Sequence, residues 1–185
     1  MGALSKITDG LRPCAAVLIL MAATACGSRV PKSELKLHIA AFAEGARIPA
    51  ALTGDGEDRS PALAWSGAPT GTQAFAVVMD DPDAPGGTWV HWVLYDLPAD
   101  AAKLDERLPS APLVPGGGKQ GRNSWGRVGW NGPSPPPGRA HRYIFHLYAL
   151  GQPTGLPPGE DRTALDRAIK GHVLGEARWM GTYGR

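Results

Sequence analysis

The sequence predicts a mainly antiparallel β domain, a sandwich of two sheets with a little helix at its periphery. Three observations carry that expectation. Apolar runs at Phe75–Met79, Trp89–Leu97 and Tyr143–Leu150 have the length of strands. Only nine residues separate the first two runs, too few for the helical crossover that a parallel pair requires. The 25 glycines and 18 prolines are scattered between apolar runs, as turns would be.

The N-terminus reads as a targeting segment. Lys6 and Arg12 precede an apolar run from Ala15 to Ala25, which is too short to span a bilayer as a helix. The run ends in small residues directly before Cys26, the layout of a bacterial secretion signal. A cysteine at the cut resembles a lipobox, whose thiol receives a diacylglycerol, although Ala23 stands where such boxes usually carry leucine. Residues 1–25 are expected to be a lipoprotein-type signal peptide, and 26–33 a short linker after acylated Cys26. Residues 34–185 form the domain. A plain secreted protein and an uncleaved anchor stay open as alternatives. Gly27 in place of aspartate does not suggest inner-membrane retention.

Cys14 leaves with the signal, so a mature chain holds Cys26 alone and its fold must rest on core burial rather than a disulfide. Removing Lys6, Arg12 and Asp9 from 19 basic and 17 acidic residues leaves 17 and 16, a net of +1. That balance has no basic stripe and points away from nucleic acid.

Within the domain, Leu35–Ile39 alternate like a half-buried strand, and residues 45–62 are rich in turns. Leu63–Trp65 is a short apolar piece. Phe75–Met79 is apolar at every position, as expected of a central strand buried on both faces. Trp89–Leu97 is closed by Pro98. Residues 103–121 read as a long loop with Pro109, Pro112, Pro115 and three successive glycines. Gly132–Gly138 forms a second, rigid loop. Thr163–Leu174 reads as a helix, with Thr163 and Asp166 placed for a capping box and Leu165, Ile169 and Val173 on one face. Gly175 is positioned to cap its end. Trp179–Tyr183 is a last short strand or tail.

The chemistry gathers at Met79-Asp80-Asp81-Pro82-Asp83-Ala84-Pro85 and the following Trp89-Val90-His91-Trp92. Three carboxylates are delivered into a loop that two prolines stiffen. His91 opens the next strand, on the face of Trp89 and Val93 by two-residue alternation. Asp83 is expected to fold back on the loop backbone, and Arg142 to pair on the surface. His38, His146 and His172 are read as structural or solvated, and Trp65, Trp125 and Trp130 as packing residues.

In order along the chain, four motifs resemble the phosphatidylethanolamine-binding protein family, and more closely its bacterial Raf-kinase-inhibitor-like branch. They are Asp81-Pro82-Asp83-Ala84-Pro85, Trp89-Val90-His91-Trp92, Gly132 with Pro135-Pro136, and His141-Arg142-Tyr143. Ser60-Pro61-Ala62-Leu63-Ala64-Trp65 and Ala177–Tyr183 fit as well. The resemblance covers roughly Leu35 to the C-terminus. It implies a mainly β fold, an antiparallel Greek-key β-sandwich of two sheets with small peripheral helices. It also implies a shallow anion pocket that holds Asp81, His91, His141 and Tyr143, with Pro85, Trp89 and Gly132 shaping its wall. The eukaryotic branch carries a further C-terminal helix that this chain is too short to supply. Ser134, between Pro133 and Pro135, departs from the family's usual small residues.

A phosphoryl head needs donors, which imidazoles and Tyr143 supply, and a glycine lets backbone N–H groups approach an anion. Asp81 repels phosphate, so its expected role is to orient a histidine, or to accept from an ammonium. The expected function is non-enzymatic binding of a small anionic or phosphoryl-containing ligand, with no cofactor, no metal and a membrane contact through the lipid anchor. An inhibitor acting through a protein–protein surface is the alternative. Two histidines and a carboxylate leave a metal-dependent enzyme as a weaker one, since no HxH or HxxxH spacing is present. The chain has no Gly-x-Ser-x-Gly of a serine nucleophile.

Overall fold

The fold is built outward from one strand. The computed structural model describes residues 1–2 and 34–185. The expected signal peptide (1–25), apart from residues 1–2, and the expected linker (26–33) with Cys26 lie outside the described residues. All eight residues of the strand Ala74–Asp81 are buried, as a run apolar on both faces requires. The strands in chain order are β1 (Lys36–His38), β2 (Leu63–Ser66), β3 (Ala74–Asp81), β4 (Trp89–Pro98), β5 (Lys103–Leu104), β6 (Lys119–Gln120), β7 (His141–Leu150) and β8 (Val173–Tyr183). β3 sits at the centre of a five-stranded sheet ordered β6-β4-β3-β7-β8, and β1-β2-β5 form the second sheet. Every named pairing is antiparallel. The return of β7 to lie beside β3, after the chain has visited β5 and β6, is the Greek-key step.

Strand alternation divides β3 between two cores. Phe75, Val77 and Met79 face the space between the sheets, with Trp92, Leu94, Phe145 and Leu147. Trp65 of the smaller sheet closes on Phe75 at a ring distance of 5.5 Å. Ala74, Ala76 and Val78 face the other way, where Leu165 and Ile169 of the helix α1 (Arg162–Ile169) cover the sheet. The same alternation separates two neighbouring carboxylates. Asp80 and Asp81 both lie in β3 rather than in the loop that follows. Asp80 turns to the helix side, 3.4 Å from His146 and 3.5 Å from Arg162, while Asp81 turns to the other face.

Three expectations about the elements are corrected. The helix begins one residue earlier than expected and stops at Ile169. Its cap is Asp161, whose side chain accepts from the Ala164 N–H, so Thr163 and Asp166 form no capping box. Beyond Lys170 the chain turns through Gly171, at φ +80°, and β8 pairs along β7 from Leu150 to His141. Val173 therefore faces solvent in a strand, and Gly175 lies within that strand. Residues 173–183 show period-two burial, with Gly175, Ala177, Trp179, Gly181 and Tyr183 turned inward. That pattern was hidden because Leu165, Ile169 and Val173 also satisfy a helical spacing. The long loop of residues 103–121 contains two short edge strands, β5 and β6.

Candidate functional site

Antiparallel register brings the chemistry-bearing residues to one end of the large sheet. Asp81 pairs with Trp89 of β4. On its other side β7 runs Asp80↔Ile144, so Tyr143 lies next to Asp81 and His141 lies two residues further on the same face. These residues, with Pro85, line a single cavity of about 220 Å³. Ala84, Gly86, Trp125, Ser134, Pro135 and Pro136 complete it. No lysine or arginine stands among the lining residues, so the donors there are imidazole, indole, phenol and hydroxyl groups.

A β-bulge aims His91 into this space. Met79 pairs with Trp92 and Asp80 with Val90, so His91 is the extra residue on β4. His91 and Trp92 consequently both turn toward the inner side, while Val93 joins the helix-covered core. The expected shared face of His91 and Val93 is thereby corrected. The His91 Nδ1 lies 2.7 Å from the Asn131 carbonyl. A carbonyl only accepts, so Nδ1 carries the proton and Nε2 is the ring's remaining polar atom. Burial pushes the His91 pKa below its ordinary value, against the opposing pull of the Asn131 hydrogen bond and the Asp81 charge.

Asp81 holds two groups at once. Its Oδ2 lies 2.8 Å from His141 Nδ1, which leaves His141 Nε2 for a ligand. Its Oδ1 accepts the Asp83 N–H at 2.8 Å, folding the loop back on the strand end. The backbone-binding role expected of Asp83 thus belongs to Asp81. Asp83 instead accepts from Arg142 N, Nε and Nη2 at 2.9, 2.8 and 2.8 Å, and those bonds hold its carboxyl far below the usual range. The clamp ties the proline loop to the start of β7.

Tyr143 is buried, and its hydroxyl stands toward Asp81 without a well-formed hydrogen bond among the described residues. Burial first, and then the charge of Asp81, push the phenol well above its ordinary pKa, so it stays an O–H donor. Trp89 Nε1 is likewise buried and unpartnered. Both residues line the cavity.

Gly132 does not line the cavity; it lies beneath. A Cβ there would clash with the Leu52 carbonyl and stand 2.8 Å from Asp58 Oδ1. Glycine lets this segment press against the loop that follows Leu52. Trp125, expected to be a packing residue, is instead 41% exposed, and its ring meets Trp89 and His91 edge-on at 5.3 and 5.0 Å. Trp65 and Trp130 are buried in the core. Among the described residues no group of three His, Cys, Asp or Glu side chains is arranged to hold a metal ion.

Comparison with known proteins agrees with this fold. Residues 38–184 match the family model described as phosphatidylethanolamine-binding protein. The chain is 46% identical over 152 residues to a UPF0098 protein of Methanothermobacter thermautotrophicus, across 82% of this chain and 99% of that one. It is 40% identical over 144 residues to LppC, a candidate lipoprotein of Mycobacterium tuberculosis, across 77% of this chain and 68% of that one. The crystal structure of CT736 from Chlamydia trachomatis, described as a candidate homologue of phosphatidylethanolamine-binding protein, superposes with a TM-score of 0.76. It is 31% identical, and the match covers 83% of this chain and 99% of that one. The E. coli protein YbcL, described as a new member of the mammalian family, gives a TM-score of 0.75 at 28% identity, over 82% and 99% of the two chains. The chain belongs to the phosphatidylethanolamine-binding protein family.

Proposed function

We propose that the domain is a non-enzymatic binding protein whose cavity takes a small anionic or phosphoryl-bearing head group. We further propose that the chain is exported and held at a membrane through acylated Cys26. The observation that carries the first reading is the convergence of His91, the Asp81–His141 pair and the Tyr143 hydroxyl on one cavity. At about 220 Å³ the cavity falls below the ~300–1,000 Å³ of drug-sized sites. It suits a head group rather than an acyl chain. The similarity to LppC supports the lipid-anchored reading.

Each donor has a stated task. Tyr143 offers an O–H that cannot ionise near neutral pH. His141 offers Nε2, its other nitrogen being fixed by Asp81. His91 offers Nε2 as an acceptor when neutral and as a donor when protonated. An anion beside that ring favours the imidazolium, so binding takes up a proton, and affinity falls as pH rises.

Calorimetry of phosphate and of O-phosphoethanolamine against the full chain, between about pH 5.5 and 8.5, brackets the ordinary histidine pKa near 6.5. Affinity should weaken with rising pH, by at most roughly tenfold per unit for a single linked proton. His91→Ala and His141→Ala should each cut binding. Binding that ignores pH and survives both substitutions would sink the pocket.

A further inference from the structure

Beneath the cavity, the segment that holds His91 ends on a carboxylate outside the cavity wall. Asp58 lies in the turn between the 3-10 helix Ala50–Leu52 and β2, at a φ of +52°. Non-glycine residues occupy that left-handed region at a cost, with asparagine and aspartate the least penalised. Asp58 Oδ1 accepts the Gly132 N–H at 2.6 Å, and Oδ2 stands 3.5 Å from Asn131 Nδ2. The neighbouring cations are occupied, Arg59 by Glu106 and Arg107 by Glu57. From the other side, Asn123 Nδ2 donates to Asn131 Oδ1 at 2.7 Å. The strap Asn131–Gly132 is thus pinned at both edges, and its Asn131 carbonyl is the atom on His91 Nδ1.

We propose that Asp58 is a positioning residue for His91. By holding the Gly132 N–H it keeps the Asn131 carbonyl against Nδ1, which fixes the ring in its Nδ1–H tautomer and reserves Nε2 for the ligand. The groups that face His91 from elsewhere are Asp81 of β3, Tyr143 of β7 and Trp125, with the Gly132 backbone beside that of Asn131 and the charge of Asp58 behind them. Its Nδ1 is met by the Asn131 carbonyl, and that carbonyl is held through Asp58. A neutral imidazole without a fixed partner populates both tautomers, and the imidazolium that donates to an anion from Nε2 then lacks the acceptor that the Asn131 carbonyl gives its Nδ1–H.

The test uses Asp58→Gly and Asp58→Asn in the full chain. Both residues suit a positive φ, so the turn keeps its shape in either variant. Glycine removes the acceptor, whereas asparagine keeps an oxygen for the Gly132 N–H and removes only the charge. The readout is the pair of His91 ring-nitrogen shifts in 15N-histidine protein at about pH 7.5, above the ordinary histidine pKa, assigned with His91→Gln. Wild type and Asp58→Asn should show a protonated Nδ1 and a bare Nε2. Asp58→Gly should show both nitrogens drawn toward a common average, with phosphate affinity lower by about tenfold, the loss of one hydrogen bond to a charged group.

Wild-type nitrogen shifts in Asp58→Gly would overturn the proposal. So would an Asp58→Asn that behaves like Asp58→Gly, since charge rather than position would then be acting. The phosphate arm rests on the anion-pocket reading. A wild type that binds no phosphate fails that reading alone, while the tautomer arm still decides the role of Asp58.

Discussion

Burial of the His91 ring has a consequence for stability that needs no ligand. Its pKa lies below the ordinary value, chiefly through desolvation, so the unfolded chain takes up its proton first as the solution is acidified. Stability from this group is full above about pH 6.5, falls as pH drops toward the lowered folded value, and levels off beneath it. Thermal melts of wild type and His91→Gln between about pH 5 and 8 should diverge in that window, with the wild type losing more. Parallel losses would place the acid sensitivity in another group. Asp81, His91, His141 and Tyr143 could be read from sequence because each sits in a short motif. Trp125 could not, since an indole at a cavity mouth and one in a core look alike in a sequence. Asn131 and Asp58 were invisible for a different reason, as their contacts close over 40 and 74 residues.

Among the elements, the β3–β4 pairing shows where two-residue alternation fails. The single residue inserted at His91 flips the parity from Trp92 to Tyr95, until a second register shift restores it at Leu97, and no turn residue announces the first. Strand identity was legible, but side-chain direction beyond the bulge was not. The helix was legible by its apolar face and misread at both ends. Its start gives a direct test, because two residues near it have the chemistry of a cap. Asp161→Ala should destabilise the domain by about 1 kcal/mol, whereas Thr163→Ala should stay within about 0.5 kcal/mol. Denaturant melts of the two variants decide between them, and the reverse ranking would restore the capping box.

For the whole chain, the two-sheet architecture followed from strand lengths and short connections, while the division of β3 between two cores did not. A run apolar on both faces says that both are covered, but not by what. The proposed export and anchoring is a matter for the full chain as well. Cells that express wild type and Cys26→Ser should differ on fractionation, wild type with membranes and the variant in the soluble periplasmic fraction. Equal solubility would exclude the lipid anchor.

The way the chain enters the domain decides which end is free. Leu35 lies beside Gly175, and Gly175 pairs with Ala149 on β7. His141, in the cavity wall, is eight residues back along that strand, about 27 Å at ~3.4 Å per residue. A tether upstream of Glu34, whether a lipid, a fused label or a sensor chip, therefore pulls on the end remote from the mouth. The domain can be leashed without being corked.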